Sequence, residues 1–335
     1  MRPLPTTSST FRLFLIASSL LAGLIAASQG CSQPASSSAS GTATEAPSDA
    51  PSDALSLVAT TGQINSALQA LTEGTGATVK LFCGPGVDPH SFSASTRDIQ
   101  AMKNCDAIIY NGFHLEARLD EHLHHTFGDK SWAMASAFPQ ENRLDWVEDG
   151  ETDPNAPFDP HIWNHLPGWS KCVQGLANHL MEIDPDNKET YQQNLETYST
   201  KIGTTHQWAA EQLSAIPEAR RYIVSAHDAF NYFAKVYNMQ TLAPLGVGND
   251  AEADIQTMSI VAAEISEKKI PVIFLEAMTN PKVSKALQEA CQSRGWDVKI
   301  VSQQLYSDDL GETAPQNTFL GAFRSNVEIM VENLK

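Results

Sequence analysis

Residues 184–217 read DPDNKETYQQNLETYSTKIGTTHQWAAEQLSAIP, a pattern that predicts one long helix. Asp184-Pro185-Asp186 is typical of a helix start, and Pro217 is typical of a helix end. Two shorter helices that break near Gly203-Thr204-Thr205 are the alternative. An apolar stripe along the segment consists of Tyr191, Leu195, Tyr198, Ile202, Trp208 and Leu213.

Short apolar runs alternate with amphipathic stretches on both sides of this helix. The expected strands are 55–59, 79–83, 107–110 and 132–135 before it, and 222–226, 241–245, 272–275 and 298–301 after it. The expected helices include 62–72, 96–104, 255–268 and 282–293. Alternating strands and helices predict parallel sheets covered by helices. We therefore expect an α/β fold with two lobes of about four parallel strands each, residues 55–185 and 218–335, bridged by one long rigid helix at 186–217.

The first 30 residues predict a signal peptide. Arg2 and Arg12 accompany an apolar run at 13–27, which is shorter than the ~20 residues that a membrane span requires. Cys31 follows Gly30, as in a bacterial lipobox, although Ser28 stands where such boxes usually have an aliphatic residue. Residues 31–54 are rich in Ser, Ala, Thr and Pro and are expected to form a disordered tether. These features predict an extracytoplasmic protein, lipid-anchored at Cys31.

The charge of the chain argues against nucleic acid as a partner. It has 22 Lys and Arg against 39 Asp and Glu, a formal net charge of −17, whereas phosphate binding needs a basic surface. None of the five cysteines is spaced as CxxC, which argues against a thiolate metal site or a redox motif. Besides Cys31 these are Cys83, Cys105, Cys172 and Cys291, which we expect to be small buried residues rather than disulfide partners.

Three histidines and one aspartate stand where a metal site is expected. The tripeptide Asp-Pro-His occurs twice, ending at His90 and His161, and proline stiffens the loop that carries each imidazole. His227 and Asp308 follow two expected strands of the second lobe. Ligands of open parallel sheets bind beyond the carboxyl ends of the strands. We therefore predict a metal site in the cleft, with two ligands from each lobe.

Three imidazoles and one carboxylate suit Zn²⁺, which commonly takes four nitrogen, oxygen or sulfur ligands. Ca²⁺ and Mg²⁺ prefer oxygen ligands, and Mn²⁺ is the second choice because its affinity for such sites is lower than that of zinc. Asp309 competes with Asp308 for the carboxylate position. Candidates for orienting the ligand imidazoles are Asp88, Asp159, Asp228 and Glu276, although capping a helix is an equal alternative for the three aspartates. A further group, His114, His122, His124 and His125, predicts a solvated helix face, with weak metal capture as the alternative.

Several motifs carry a family resemblance. They are GVDPHSF at 86–92, YNGFHLE at 110–116, DPHIW at 159–163, SAHDAFNYF at 225–233, FLE at 274–276 and LYSDDLG at 305–311. Over residues 55–335 the chain resembles the TroA-like and ZnuA-like solute-binding proteins of ABC importers for zinc and manganese, the cluster A-I type. The resemblance implies two α/β lobes joined by a rigid helix, with metal ligands at His90, His161, His227 and Asp308. A histidine at position 227 resembles the zinc-type or mixed branch of the family. His165 is a departure, since many relatives have Asp at this position.

The resemblance also implies a function. We expect a monomeric, non-enzymatic receptor that binds Zn²⁺, or else Mn²⁺, as cargo and delivers it to an ABC permease, touching the membrane only through its lipid. A zinc hydrolase of the envelope is one alternative, but no HExxH helix is present. A metal-containing surface adhesin is another, and no sequence repeat supports it.

Overall fold

The computed structural model describes residues 54–148, 151–152, 158–248 and 255–335. The expected signal peptide, the tether up to residue 53 and the expected lipidation at Cys31 lie outside these residues. Within them, no helix combines the length and the apolar character needed to cross a bilayer.

The first half contains a four-stranded parallel sheet. Its elements are β1 (Ser56–Ala59), α1 (Gly62–Leu71), β2 (Thr78–Leu81), α2 (Thr96–Asn104), β3 (Ala107–Tyr110) and β4 (Ser131–Ala133). The strand order is β2-β1-β3-β4, and every pair is parallel. Strand β3 is buried along its whole length, as its continuous apolar sequence AIIY predicts for the centre of a covered sheet. Strand β3 therefore forms the buried middle of the sheet, between β1 and β4.

The two halves are joined by helical structure. After a short antiparallel hairpin, β5 (Val147–Glu148) with β6 (Glu151–Thr152), come α3 (Leu166–Ile183) and α4 (Lys188–Ser214). A 3-10 turn at Pro185–Asn187 runs directly into α4, so the joined helix has 30 residues. It passes through Gly203 without a break, which confirms the long helix and excludes two shorter ones. Because α4 packs on α1 and α3 of the first half and on the last helix of the second, it supports both.

The second half contains two parallel strand pairs. Its elements are β7 (Tyr222–Val224), α5 (Asn231–Tyr237), β8 (Gln240–Leu242), α6 (Ile255–Lys268), β9 (Val272–Glu276), α7 (Pro281–Gln292), β10 (Lys299–Leu305) and α8 (Phe319–Leu334). Strand β7 pairs with β8, and β9 pairs with β10. Strand β7 also lies beside β9, although the ladder between the two pairs is not continuous. The predicted α/β fold with helix-covered parallel sheets and a long connecting helix is confirmed.

Gly203 offers a direct test of the continuous helix. A Cβ added there meets no atom within 4 Å. Gly203→Ala is therefore expected to stabilise the protein by about 0.5–1 kcal/mol, because alanine has the higher helix propensity. In α3, by contrast, a Cβ at Gly168 would lie 2.4 Å from the Phe138 ring, so Gly168→Ala should destabilise by about 1–3 kcal/mol. Thermal unfolding of the two variants measures both effects, and a lower Tm for Gly203→Ala would contradict an unbroken α4.

Candidate metal centre

The structure brings the four predicted ligand residues together. His90 lies on the loop after β2, and His161 lies on the loop before α3. His227 and Asp308 follow the carboxyl ends of β7 and β10. All four are buried, and one potential ligand atom from each lies within 4.8 Å of the others. The two halves of the chain thus contribute two donors each to one point.

Asp308 is the centre of this group. Its Oδ2 atom lies 3.1 Å from Nε2 of His227 and 3.6 Å from Nε2 of His90, and its Oδ1 atom lies 3.4 Å from Nε2 of His161. Within the described residues, none of the three Nε2 atoms makes a hydrogen bond of acceptable geometry. Buried polar atoms without hydrogen bonds are costly, so their convergence indicates a ligand. Three imidazoles and one carboxylate could hold a metal ion, and the donor set fits zinc.

His161 is oriented by Asp159. The Oδ1 atom of Asp159 lies 2.8 Å from Nδ1 of His161 and also accepts the backbone N–H of His161 at 2.9 Å. An Nδ1–H donor to this carboxylate leaves Nε2 as the basic nitrogen. The ring of Trp163 packs edge-on against the same imidazole, with ring centroids 5.3 Å apart. The imidazole of His161 is therefore held in one orientation.

His227 is oriented by Glu276 at the end of β9. Oε2 of Glu276 lies 2.6 Å from Nδ1 of His227, and Oε1 accepts the backbone N–H groups of Ala226 and His227 at 2.7 and 3.0 Å. Burial lowers the pKa of His227, but the carboxylates of Glu276 and Asp308 outweigh it and hold this pKa well above its usual value. Burial likewise opposes ionisation of Asp308, yet the three imidazoles, led by His227, hold its pKa well below the usual value. These opposite pKa shifts favour a charged His227 imidazole beside an ionised Asp308.

The other acidic candidates do not reach a ligand imidazole. Asp88 accepts the backbone N–H of His90 and the hydroxyl of Ser91, so it orders the loop around His90. Asp228 accepts the side-chain amide of Asn231 at 2.8 Å, and burial raises its pKa. Asp309 accepts the N–H of Gly86 at 3.1 Å, and burial raises its pKa to about 6. Of these acids, Asp88 and Asp309 support the loops that surround the site.

Two supporting residues were not singled out from the sequence. Glu116 accepts the backbone N–H groups of Asn111 and Gly112 and the hydroxyl of Thr60, at 2.7, 3.1 and 2.7 Å. It therefore orders the carboxyl end of β3 as Glu276 orders that of β7. Asn111 donates from Nδ2 to the carbonyl of Pro160 at 2.8 Å, next to His161. An acidic residue in an apolar segment close to a strand end was the signal that could have revealed Glu116.

The histidines near residue 120 form a separate surface group. His114 and His124 lie 3.3 and 3.8 Å from the two carboxylate oxygens of Asp120, and all three side chains are about half exposed. His122, His124 and His125 belong to one π-helical turn, Glu121–Thr126. Among the described residues, only the group of His90, His161, His227 and Asp308 has the geometry of a metal site, and the histidines near residue 120 do not.

His165 has a structural role. Its Nδ1 accepts the N–H of Gly168 at 2.9 Å and so caps α3. Burial lowers the pKa of His165, which favours the neutral ring that can accept this bond. The Asp-to-His departure noted in the sequence thus retains a side-chain acceptor at the start of α3. Four thiols are free and buried, as expected for small interior residues, namely those of Cys83, Cys105, Cys172 and Cys291.

Comparisons with known proteins give a family and several metal-binding relatives. Residues 57–333 match the family described as ZnuA, zinc-uptake complex component A, periplasmic. The zinc-binding protein TroA of Treponema pallidum is 32% identical over 280 residues, covering 83% of this chain and 88% of TroA. The manganese-binding lipoprotein MntA of Bacillus subtilis is 31% identical over 283 residues, covering 84% and 90% of the two chains. A solved structure of periplasmic TroA matches with a TM-score of 0.78 at 31% identity, covering 84% of this chain and 99% of that one.

Proposed function

The chain belongs to the ZnuA family of zinc-uptake components, and from this premise we propose that it is an extracytoplasmic receptor for a divalent transition metal. It captures Zn²⁺, or in second place Mn²⁺, and delivers the ion to an ABC permease. The observation that carries this proposal is the convergence of His90, His161, His227 and Asp308, which act as the metal ligands. The ion is cargo, so its release matters as much as its capture.

Zinc is favoured over manganese by the donors. Three imidazoles make a nitrogen-rich set, whereas manganese prefers more oxygen, and zinc binds such sites more tightly in the general order of divalent metals. Two of the imidazoles also have a carboxylate at Nδ1, from Asp159 and Glu276, which raises their basicity as ligands. Relatives named for each metal, TroA for zinc and MntA for manganese, support testing both.

The proposed receptor is monomeric, extracytoplasmic and not an enzyme. Four protein donors complete a tetrahedral shell, whereas a catalytic zinc keeps an open position for water. The periplasmic and lipoprotein names of its relatives support export and an anchor at Cys31, with 31–54 as the tether. The proposed lobes are 55–185 and 218–335, and the connecting helix is 186–217.

Titration of the metal-free protein tests this function. Isothermal calorimetry with Zn²⁺ and Mn²⁺ is expected to show one site per chain, with zinc bound more tightly. His161→Ala should weaken binding strongly because it removes one donor. His206→Ala is the matched control, since His206 contacts Tyr237 on α5 and lies outside the four donors. Absence of tight binding, or equal binding by His161→Ala and the wild type, would refute the receptor function.

Metal affinity is expected to fall as the solution becomes more acidic. Burial lowers the pKa of His227, but Glu276 and Asp308 outweigh it and raise this pKa well above the usual value, so a proton competes with the metal for the imidazole. The metal must displace that proton from Nε2, and a higher pH removes the competitor. Each pH unit below the raised pKa is expected to cost up to about tenfold in affinity per proton displaced. Zinc affinity should be measured from mildly acidic to alkaline pH. An affinity that does not rise with pH would contradict this prediction.

A further inference from the structure

The loop that carries Asp308 is held from several sides. Asn326 of α8 accepts the N–H of Tyr306 at 2.8 Å and donates to its carbonyl at 2.7 Å. Trp163, next to the His161 loop, donates from Nε1 to the carbonyl of Ser307 at 2.9 Å. These direct bonds fix the backbone before Asp308 on two sides.

The side facing α1 is different. Gln63 is buried, and its Nε2 atom is 3.5 Å from the carbonyl of Ser307, a long contact. Its Oε1 atom, Oγ of Ser307 and Oδ1 of Asp309 are buried without a hydrogen-bond partner among the described residues. The start of α1 packs closely on the segment that follows Asp309, since a Cβ on neighbouring Gly62 would lie 2.9 Å from the side chain of Leu310. Three polar atoms in this region therefore lack a hydrogen-bond partner among the described residues.

The same three residues line a small cavity of about 10 Å³. A space of roughly this size accommodates one water molecule, provided that two to four polar partners surround it. Water can donate its two hydrogens to Oε1 of Gln63 and Oδ1 of Asp309 and accept the hydroxyl of Ser307. The remaining walls include the apolar side chains of Leu310, Phe319 and Phe323. The side-chain amides of Asn164 and Asn326 also line the cavity, but they already donate to the carbonyls of Ala229 and Tyr306.

We propose that one buried water bridges Gln63 to Ser307 and Asp309 and that Gln63 is a positioning residue for Asp308. The bridge completes the support of the Asp308 loop on its α1 side. It thereby couples the start of α1, in the first half, to a ligand of the second half. The part of the inference that concerns metal affinity rests on the proposed receptor function, whereas the water itself does not.

High-resolution crystallography and two variants test the bridge. An ordered water in contact with all three side chains is expected in the wild-type protein. Gln63→Met keeps the length of the side chain without its polar atoms, and Ser307→Ala removes one partner. Each is expected to lower zinc affinity about tenfold, as loss of an outer support of a metal site commonly does. The Co²⁺ absorption spectrum should shift in both Gln63→Met and Ser307→Ala.

Ser66→Ala separates positioning from stability. Ser66 also lies on α1, and its Oγ accepts the N–H of Phe319 at 3.0 Å. Phe319 is an apolar wall of the cavity, and Ser66 itself is neither a proposed partner of the water nor a residue of the cavity lining. Loss of the Ser66 hydroxyl should lower Tm, whereas zinc affinity and the Co²⁺ spectrum should stay as in the wild type. A dry cavity, or wild-type affinity in both Gln63→Met and Ser307→Ala, would overturn the bridge. If the wild-type protein bound no metal, the receptor function would fail, and the electron density alone would decide the bridge.

Discussion

Asp308→Ala is expected to lower zinc affinity roughly 10²–10³-fold. Binding free energies of about 10–16 kcal/mol for four-ligand zinc sites correspond to about 2.5–4 kcal/mol per ligand, and 1.4 kcal/mol equals a factor of ten. Asp308 is the only anionic donor of the proposed set and faces all three imidazoles. Competition against a chelator of known affinity measures the loss.

Asp309→Asn is the comparison for this variant. Asp309 is adjacent in sequence and also buried, but it bonds to Gly86 rather than joining the four convergent donors. An asparagine keeps a carbonyl oxygen for the Gly86 N–H. The loss of zinc affinity in Asp309→Asn should therefore be at least about ten times smaller than the loss in Asp308→Ala, because Asp309 supports the site without being a direct ligand. The reverse order would assign the carboxylate ligand to Asp309.

Glu276→Gln is expected to lower zinc affinity about 10–100-fold while the protein remains folded. Glutamine can still accept the N–H groups of Ala226 and His227 through its carbonyl oxygen. Its NH₂ group, however, would face Nδ1 of His227, where Glu276 places an oxygen at 2.6 Å. That donor favours the tautomer with the proton on Nε2, which blocks metal ligation. Zinc titration and thermal unfolding of the same preparation separate affinity from folding.

Glu116→Gln is the matched control for Glu276→Gln. Glu116 also accepts two backbone N–H groups at the end of a strand, one on each carboxylate oxygen, but it has no imidazole among its hydrogen-bond partners. The substitution should cost about 1–3 kcal/mol of stability, because a buried N–H loses its acceptor. Zinc affinity should change far less than in Glu276→Gln. Equal losses of affinity in the two variants would show that Glu276 acts through the fold and not through the tautomer of His227.

Much of the architecture could be predicted from local patterns. The helix at 184–217, strand 107–110 and helices 96–104 and 255–268 follow from apolar periodicity and end signals, and the observed bounds are close or identical. The split of the second half into two strand pairs could not be predicted, because ladder formation depends on how far neighbouring strands twist apart. The bulge between Val301 and Gln304 in β10 could not be predicted from the sequence either.

The sequence alone determines which residue types serve as donors. Histidines follow prolines in two stiff loops, and His227 and Asp308 follow strands, so residue type and chain direction already place them at one edge of the sheets. The sequence does not determine which carboxylate bonds to which imidazole. Asp159 reaches His161, and Glu276 reaches His227 from a distant part of the chain. Asp88 and Asp228, although only two residues and one residue from a histidine, bond elsewhere. A hydrogen bond forms only if the distance between donor and acceptor is right to within a few tenths of an ångström. The packing of segments that are far apart in the chain sets that distance.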